Sequence, residues 1–323
     1  MRFFVEFSLC FILISMSISC EREEIPIIPH EPGDVMSAQV NMESDYRNQV
    51  FFDLSSNSVI SENHKTDWDI GFESKEEGWH IILNSSRAAA AYNSQSMDFN
   101  TSINIDDINW SYDVPSGNLD STAVGDYRNT GLVYIINRGY SPSGTHTGYK
   151  KIIFNAYSDS TYTISIADID GENDTMLVIH KNLVTNFTCF SLNNYEVVNI
   201  EPNNQSWDLL FTQYTHLFYN PFTPYLVSGV LINRNDVSVF VDTLNEFLSI
   251  TYEDVLDYEY SYSIDEIGFD WKFYDFNTGK YSIIPNRSYI LRDHEENYYK
   301  INFTDFYDPN GLKGSPAFQF QKL

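Results

Sequence analysis

Cysteine is scarce in this 323-residue chain, with only Cys10, Cys20 and Cys189. That rules out a disulfide framework or a cysteine-built metal site. No apolar run is long enough to span a bilayer as a helix. The longest, Phe7 to Ile18, falls well short of the ~20 residues a span needs. Positive charge is scarce too: 19 Lys and Arg stand against 45 Asp and Glu, a formal net charge of −26. A field of that sign repels phosphate backbones and excludes nucleic acid as a partner. The only basic pair of note is Lys150–Lys151. Enzyme signatures are absent: there is no GxSxG, HExxH or Walker loop, and the expectation is a protein that does not catalyse. Helical periodicity is confined to single turns at 87–92, 105–108 and 244–248.

The N-terminus carries a short apolar stretch after Arg2, then Ser17, Ile18, Ser19 and Cys20. An apolar core of this length suits a signal peptide, here 1–19. The small residues before Cys20 resemble a bacterial lipobox, which implies a lipid-modified Cys20. EREE and the proline-rich stretch 25–33 follow, and 20–45 reads as a flexible tether. Three acyl chains would hold such a protein firmly to a membrane surface. Cys10 would leave with the signal, so Cys189, in the alternating segment FTCFSL, is expected to be a buried, inert thiol.

Aromatic residues are abundant: 23 Tyr, 23 Phe and 5 Trp. They concentrate in short alternating runs such as QVFFDL, LVYIIN, TYTISIA and NYYKINFTDFY, separated by Asn, Asp and Gly turns. The fold class this predicts is all-β, with antiparallel, sandwich-like sheets and few helical turns.

One phrase occurs twice. VFFDLSSNSVISENHKTDWDIGF (50–72) parallels CFSLNNYEVVNIEPNNQSWDLLF (189–211) in the order of its chemistry. This predicts two related units, 46–186 and 187–323, either as separate domains or sharing one core. In each, the Trp-Asp strand is expected to return against the strand before it. Alternation would place Trp68, Ile70 and Phe72 on one face, as with Trp207, Leu209 and Phe211. Asp69 and Asp208 would then accept hydrogen bonds from neighbouring amides.

The phrase DWDIGF and the terminal pattern of 267–321 (SYILRD, NYYKINFTDFY, GLKG, AFQFQ) resemble HmuY-like proteins, the haem-capturing surface lipoproteins of Bacteroidetes. The resemblance covers most of 46–323. It implies an all-β, surface-anchored outer-membrane lipoprotein that binds haem or a related tetrapyrrole for uptake through a TonB-dependent outer-membrane receptor. The membrane would be touched through the lipid anchor only. The alternative is a glycan- or protein-binding adhesion module on the same fold without haem.

Seven histidines are available as haem ligands. His216, in TQYTHLFYNPF, and His146, in the loop PSGTHTGYKK, have the best surroundings. Tyr214 is two residues from His216 and is a third candidate ligand. Lys150 and Lys151 are candidates to pair with propionates. His80 and His180 read as sheet histidines, and His64, His30 and His294 as solvated. No metal is expected beyond haem iron. DIDGENDT (168–175) has calcium-loop-like aspartates but is more simply a hairpin turn. LDYEYSYSIDE (256–266) reads as a core-facing strand.

Overall fold

The computed structural model describes residues 31–323. The expected signal peptide, 1–19, and the expected lipidation at Cys20 fall outside these residues. In chain order the strands are β1 (Met36–Gln39), β2 (Asn48–Asp53), β3 (Ser58–His64), β4 (Ile70–Glu73), β5 (Ile81–Leu83), β6 (Ala90–Asn93) and β7 (Tyr134–Asn137). Then come β8 (Tyr149–Tyr157), β9 (Thr161–Ala167), β10 (Thr175–His180), β11 (Phe187–Ser191), β12 (Glu196–Val198), β13 (Leu209–Tyr219) and β14 (Phe222–Ile232). The last are β15 (Ser238–Asp242), β16 (Lys272–Asp275), β17 (Lys280–Ile283), β18 (Ser288–Arg292), β19 (Tyr298–Tyr307) and β20 (Lys313–Lys322). One α-helical turn, α1 (Tyr252–Val255), and four short 3-10 turns complete the set among the described residues. The all-β expectation holds, and every strand pairing is antiparallel.

Four sheets stack as layers, and a small β16–β17 ribbon packs onto the second sandwich through Tyr281 and Ile283. The first outer sheet runs β10-β9-β8-β7-β6 and the first inner sheet β12-β11-β4-β5. The second inner sheet runs β14-β13-β2-β3 and the second outer sheet β1-β20-β19-β18-β15. Ile70, Phe72, Tyr134, Phe154 and Tyr162 fill the first sandwich. Phe52, Phe211, Trp271, Phe303 and Phe318 fill the second. A third cluster, Phe51, Trp68, Cys189, Ile200 and Trp207, joins the two inner sheets back to back. Each layer follows from period-two burial: Phe51 faces the middle while Val50 and Phe52 face the second core.

The strand orders of the two sandwiches superpose. Replacing β2, β3, β4 and β5 by β11, β12, β13 and β14 turns one inner sheet into the other. The hairpins are exchanged, however. β4 pairs with β11, not with β2 or β3, and β13 pairs with β2. The expected return of each Trp-Asp strand onto its own preceding strand is therefore corrected. Each sandwich contains strands from both halves of the chain.

The aspartates lock this exchange. Asp69 accepts from the Leu192 amide at 2.7 Å, and Asp208 accepts from the Leu54 amide at 2.9 Å. Their own amides donate to Phe190 and Phe52, both at 2.9 Å. Asn84 and Asn233 donate side-chain bonds to the Trp68 and Trp207 carbonyls. The expected amide-accepting role of both aspartates is thus met, across the two halves. The tryptophans differ from expectation. Trp68 and Trp207 pack together in the middle cluster, while Ile70 and Phe72 enter one sandwich and Leu209 and Phe211 the other. The Trp-Asp pair sits before the regular strand begins, so alternation does not carry across it.

Three smaller readings also change. Residues 36–39, placed in the tether, form β1 on the edge of β20, and Gly33 donates to the Lys322 carbonyl at 2.8 Å. The 87–92 stretch is a 3-10 turn ending at Arg87, then strand β6. Ala88 at φ 58° turns the chain, and Ala90 and Ala91 are fully buried. Residues 256–266 are irregular, with a single bridge from Ser261 to Val239. Their rings cover the second outer sheet instead: Tyr258 stacks on Phe240 at 4.1 Å.

Candidate functional site

Hairpin β13–β14 is the longest among the described residues, and only its first part is flanked by a third strand. β2 pairs with Leu209 to Phe211. Beyond that, β13 is paired with β14 alone, out to Tyr219–Phe222, with Asn220 and Pro221 at the turn. His216 sits within this arm, opposite Tyr225. The end of the arm leaves Phe218, Tyr219, Phe222 and Tyr225 exposed. The His216 ring contacts Phe218 at 4.8 Å and Phe269 at 5.0 Å, and its Nδ1 is buried without a partner. A buried ring nitrogen without a partner is uncommon and leaves a donor or acceptor available. Tyr214 is buried among Val227, Leu231, Ile264 and Phe269. Burial pushes its phenol above the usual range, which opposes a phenolate at that position.

The loop carrying His146 connects β7 to β8. Gly144 and Gly148 at positive φ shape it, and Tyr140 bridges to His146. Backbone bonds fasten it, including Tyr140 N–H to the Arg87 carbonyl at 2.8 Å. His146 has both ring nitrogens engaged: Nε2 with Asn137 Oδ1 at 2.9 Å, and Nδ1 accepting from the Gly148 amide at 3.2 Å. Burial first, then the charge of Arg87, lowers its pKa and favours neutral imidazole. Its ring neighbours are Tyr140 and Tyr149, and Tyr149 stacks on Trp110 at 5.8 Å. His216 and His146 share no ring neighbour. Their surroundings approach each other through Tyr112, whose ring meets Phe222 at 6.4 Å and whose pKa is raised by burial and by Tyr140.

The two lysines point to different partners. Lys150 donates to Asp168 and, at 2.7 Å, to Tyr195. Lys151 is buried and donates to the Phe99 and Thr101 carbonyls. Residues 168–174 form the hairpin turn between β9 and β10, with Gly171 at φ 92°. His80 is held by Glu73 at 2.6 Å and stacks on Trp79. Among the described residues no group of three or more His, Cys, Asp or Glu converges to hold a metal ion. No helix among them is long and apolar enough to cross a membrane.

A cavity of about 150 Å³, open on one side, lies between the two inner sheets. Trp68, Trp207, Phe51 and Leu210 wall it, and Asp113, Glu201 and Arg234 line it. Burial raises Asp113 to about 6 and Glu201 to about 7. Asp113 accepts from the Leu83 and Ala123 amides, both at 2.7 Å. Glu201 accepts from Phe187 N–H at 3.0 Å. Nothing in the sequence announced these residues, because they come from separate loops. Only the repeated tryptophans pointed here.

The family model described as HmuY protein matches residues 45–320. The chain belongs to the HmuY family. No curated protein matches it. Solved structures similar to it include a protein described as HmuY_like and heme binding from Bacteroides vulgatus ATCC 8482. That one has 11% identity and a TM-score of 0.25, covering 88% of this chain and 90% of that chain. Another is the Tannerella forsythia apo HmuY analog, at 8% identity and a TM-score of 0.26, covering 91% of this chain and 98% of that chain. A third is apo PinO from Porphyromonas gingivitis, at 9% and 0.26, covering 90% of this chain and 97% of that chain. Membership in the HmuY family rests on the 45–320 match.

Proposed function

We propose that this HmuY-family protein binds haem or a related tetrapyrrole at the β13–β14 arm and passes it to an outer-membrane receptor. In this reading it is held at the cell surface by lipid on Cys20 and performs no catalysis. The family match over 45–320 carries the proposal. The arm supports it, because it combines exposed aromatic rings with an imidazole whose Nδ1 has no partner. Iron would supply the coordination, and flat apolar walls would supply stacking.

His216 would hold the haem iron in this reading, with His146 the other candidate once freed from Asn137 or Gly148. Tyr214 acts as a wall, because its buried phenol resists ionisation. Lys150 would exchange Asp168 for a propionate, whereas Lys151 is turned to carbonyl oxygens inside.

The test uses soluble protein, residues 34–323, titrated with haemin. A shifted, sharpened Soret band is expected. His216→Ala should weaken binding by roughly tenfold or more, on the scale of a lost coordinate bond. If neither His216→Ala nor His146→Ala alters the band, the ligand assignment fails. If no band shift appears at all, haem is excluded and the exposed arm becomes a glycan- or protein-binding surface.

A further inference from the structure

The cavity between the inner sheets has no part in the haem reading. Pockets that hold drug-sized ligands run to about 300–1,000 Å³, and this one measures about 150 Å³. A tetrapyrrole does not fit it, but a single six-membered ring does. An engineered apolar cavity of about 150 Å³ takes up benzene.

The walls come from matching places in the two halves, but their polar chemistry differs. On one side Trp68 Nε1 donates to Gln49 at 2.8 Å. Five residues before Leu192, where Gln49 stands before Leu54, the chain has Phe187. Trp207 Nε1 is accordingly buried with no partner. A buried donor left without an acceptor is destabilising, so the second half carries an open demand for one.

The charges decide what kind of acceptor. Asp113 and Glu201 line the cavity and oppose an anion. Arg234 also lines it, donates through Nη1 to the Gly117 carbonyl at 2.5 Å, and opposes a cation. A neutral group meets neither penalty.

We propose that this cavity is a second ligand site, which takes a neutral molecule of one aromatic ring bearing a hydroxyl or carbonyl oxygen, and that Trp207 Nε1 donates to that oxygen. The site is independent of haem. The ring lies between Trp68 and Trp207 and displaces water from apolar walls. The indole N–H is closed to solvent in this structure, so the oxygen reaches it as the ring turns toward the cavity, and supplies the acceptor that Phe187 cannot.

Benzyl alcohol is the probe, added to ¹⁵N-labelled protein of residues 34–323, with the indole N–H signals of the 5 tryptophans followed by NMR. One indole signal, absent in Trp207→Phe, should move downfield on titration, with a Kd on the order of 1 mM for so small a ligand. The Trp68 N–H, already bonded to Gln49, should move far less. Benzoate and benzylamine should bind at least roughly tenfold more weakly. Val114→Trp, placed at the cavity lining, should abolish the shift while leaving the haemin titration unchanged. The proposal is overturned if no indole signal responds, if the Val114→Trp protein responds as the parent does, or if benzoate or benzylamine matches benzyl alcohol.

Discussion

The two Trp-Asp aspartates occupy equivalent places and live in opposite electrostatic surroundings. Asp69 is buried against Arg87 at 2.8 Å and Arg138 at 3.0 Å. Arg138 follows β7, and the residue in the same place after β18 is Asp293. Asp208 therefore meets no arginine. Burial raises its carboxyl to about 8, with Asp53 and Asp293 adding to the rise. Asp69→Ala strands two buried guanidinium groups and should cost about 3–5 kcal/mol in urea unfolding. Asp208→Asn should behave differently. An unfolded aspartate titrates near 3.9, so the protonated Asp208 favours folding fully below about pH 4. That contribution is lost as pH rises through about 8. The asparagine does not titrate. Relative to the parent, the variant should gain stability steadily across that window, and a flat difference between the two would refute the assignment.

At the scale of elements, the exchange of hairpins matters most. We propose the halves 46–186 and 187–323 as the repeating units, with β2–β3 and β11–β12 traded between them. Expressed alone, neither half can complete its inner sheet, so neither should unfold cooperatively. Co-expressed, cut in the exposed Leu183–Val184 segment, they should associate and recover a single transition. The strands themselves were legible, because alternation such as TYTISIA maps directly to burial, and β9 spans that run from Thr161 to Ala167. The duplication was legible in the repeated Trp-Asp phrase. Which copy each strand pairs with was not, because local patterning is the same for either partner. The facing of Trp68 was misjudged because regular alternation starts only at Ile70. The segment 256–266 alternates as a strand would, yet rings there pack onto Phe240 and Tyr298 without a ladder. His216 was singled out by its aromatic neighbours in the sequence, whereas Glu201, Asp113 and Arg234 needed the fold to meet.

For the whole molecule, charge and buried carboxyls act in the same direction. Burial raises Asp113 to about 6, Glu201 to about 7 and Asp208 to about 8. Each favours folding when protonated and loses that contribution as pH climbs. A net charge of −26 adds self-repulsion over the same range. Buried Lys272 and Lys65, lowered to about 7 and about 8, act oppositely but only above neutrality. Thermal midpoints should therefore fall between about pH 4.5 and 6.5, and added salt should recover part of the loss, because screening acts on the surface charges. A midpoint that rises across that interval would contradict this account.

The middle layer holds a single sulfur, Cys189, packed with Trp68 and Trp207 and only 6% exposed. In protein of residues 34–323 it is the sole thiol. Its reaction with a coloured disulfide reagent is therefore a clock for the parting of the two inner sheets. Slow labelling that quickens in step with global unfolding would mean that the sandwiches separate only when they melt. Labelling that runs ahead of it would reveal a molecule that breathes along its seam.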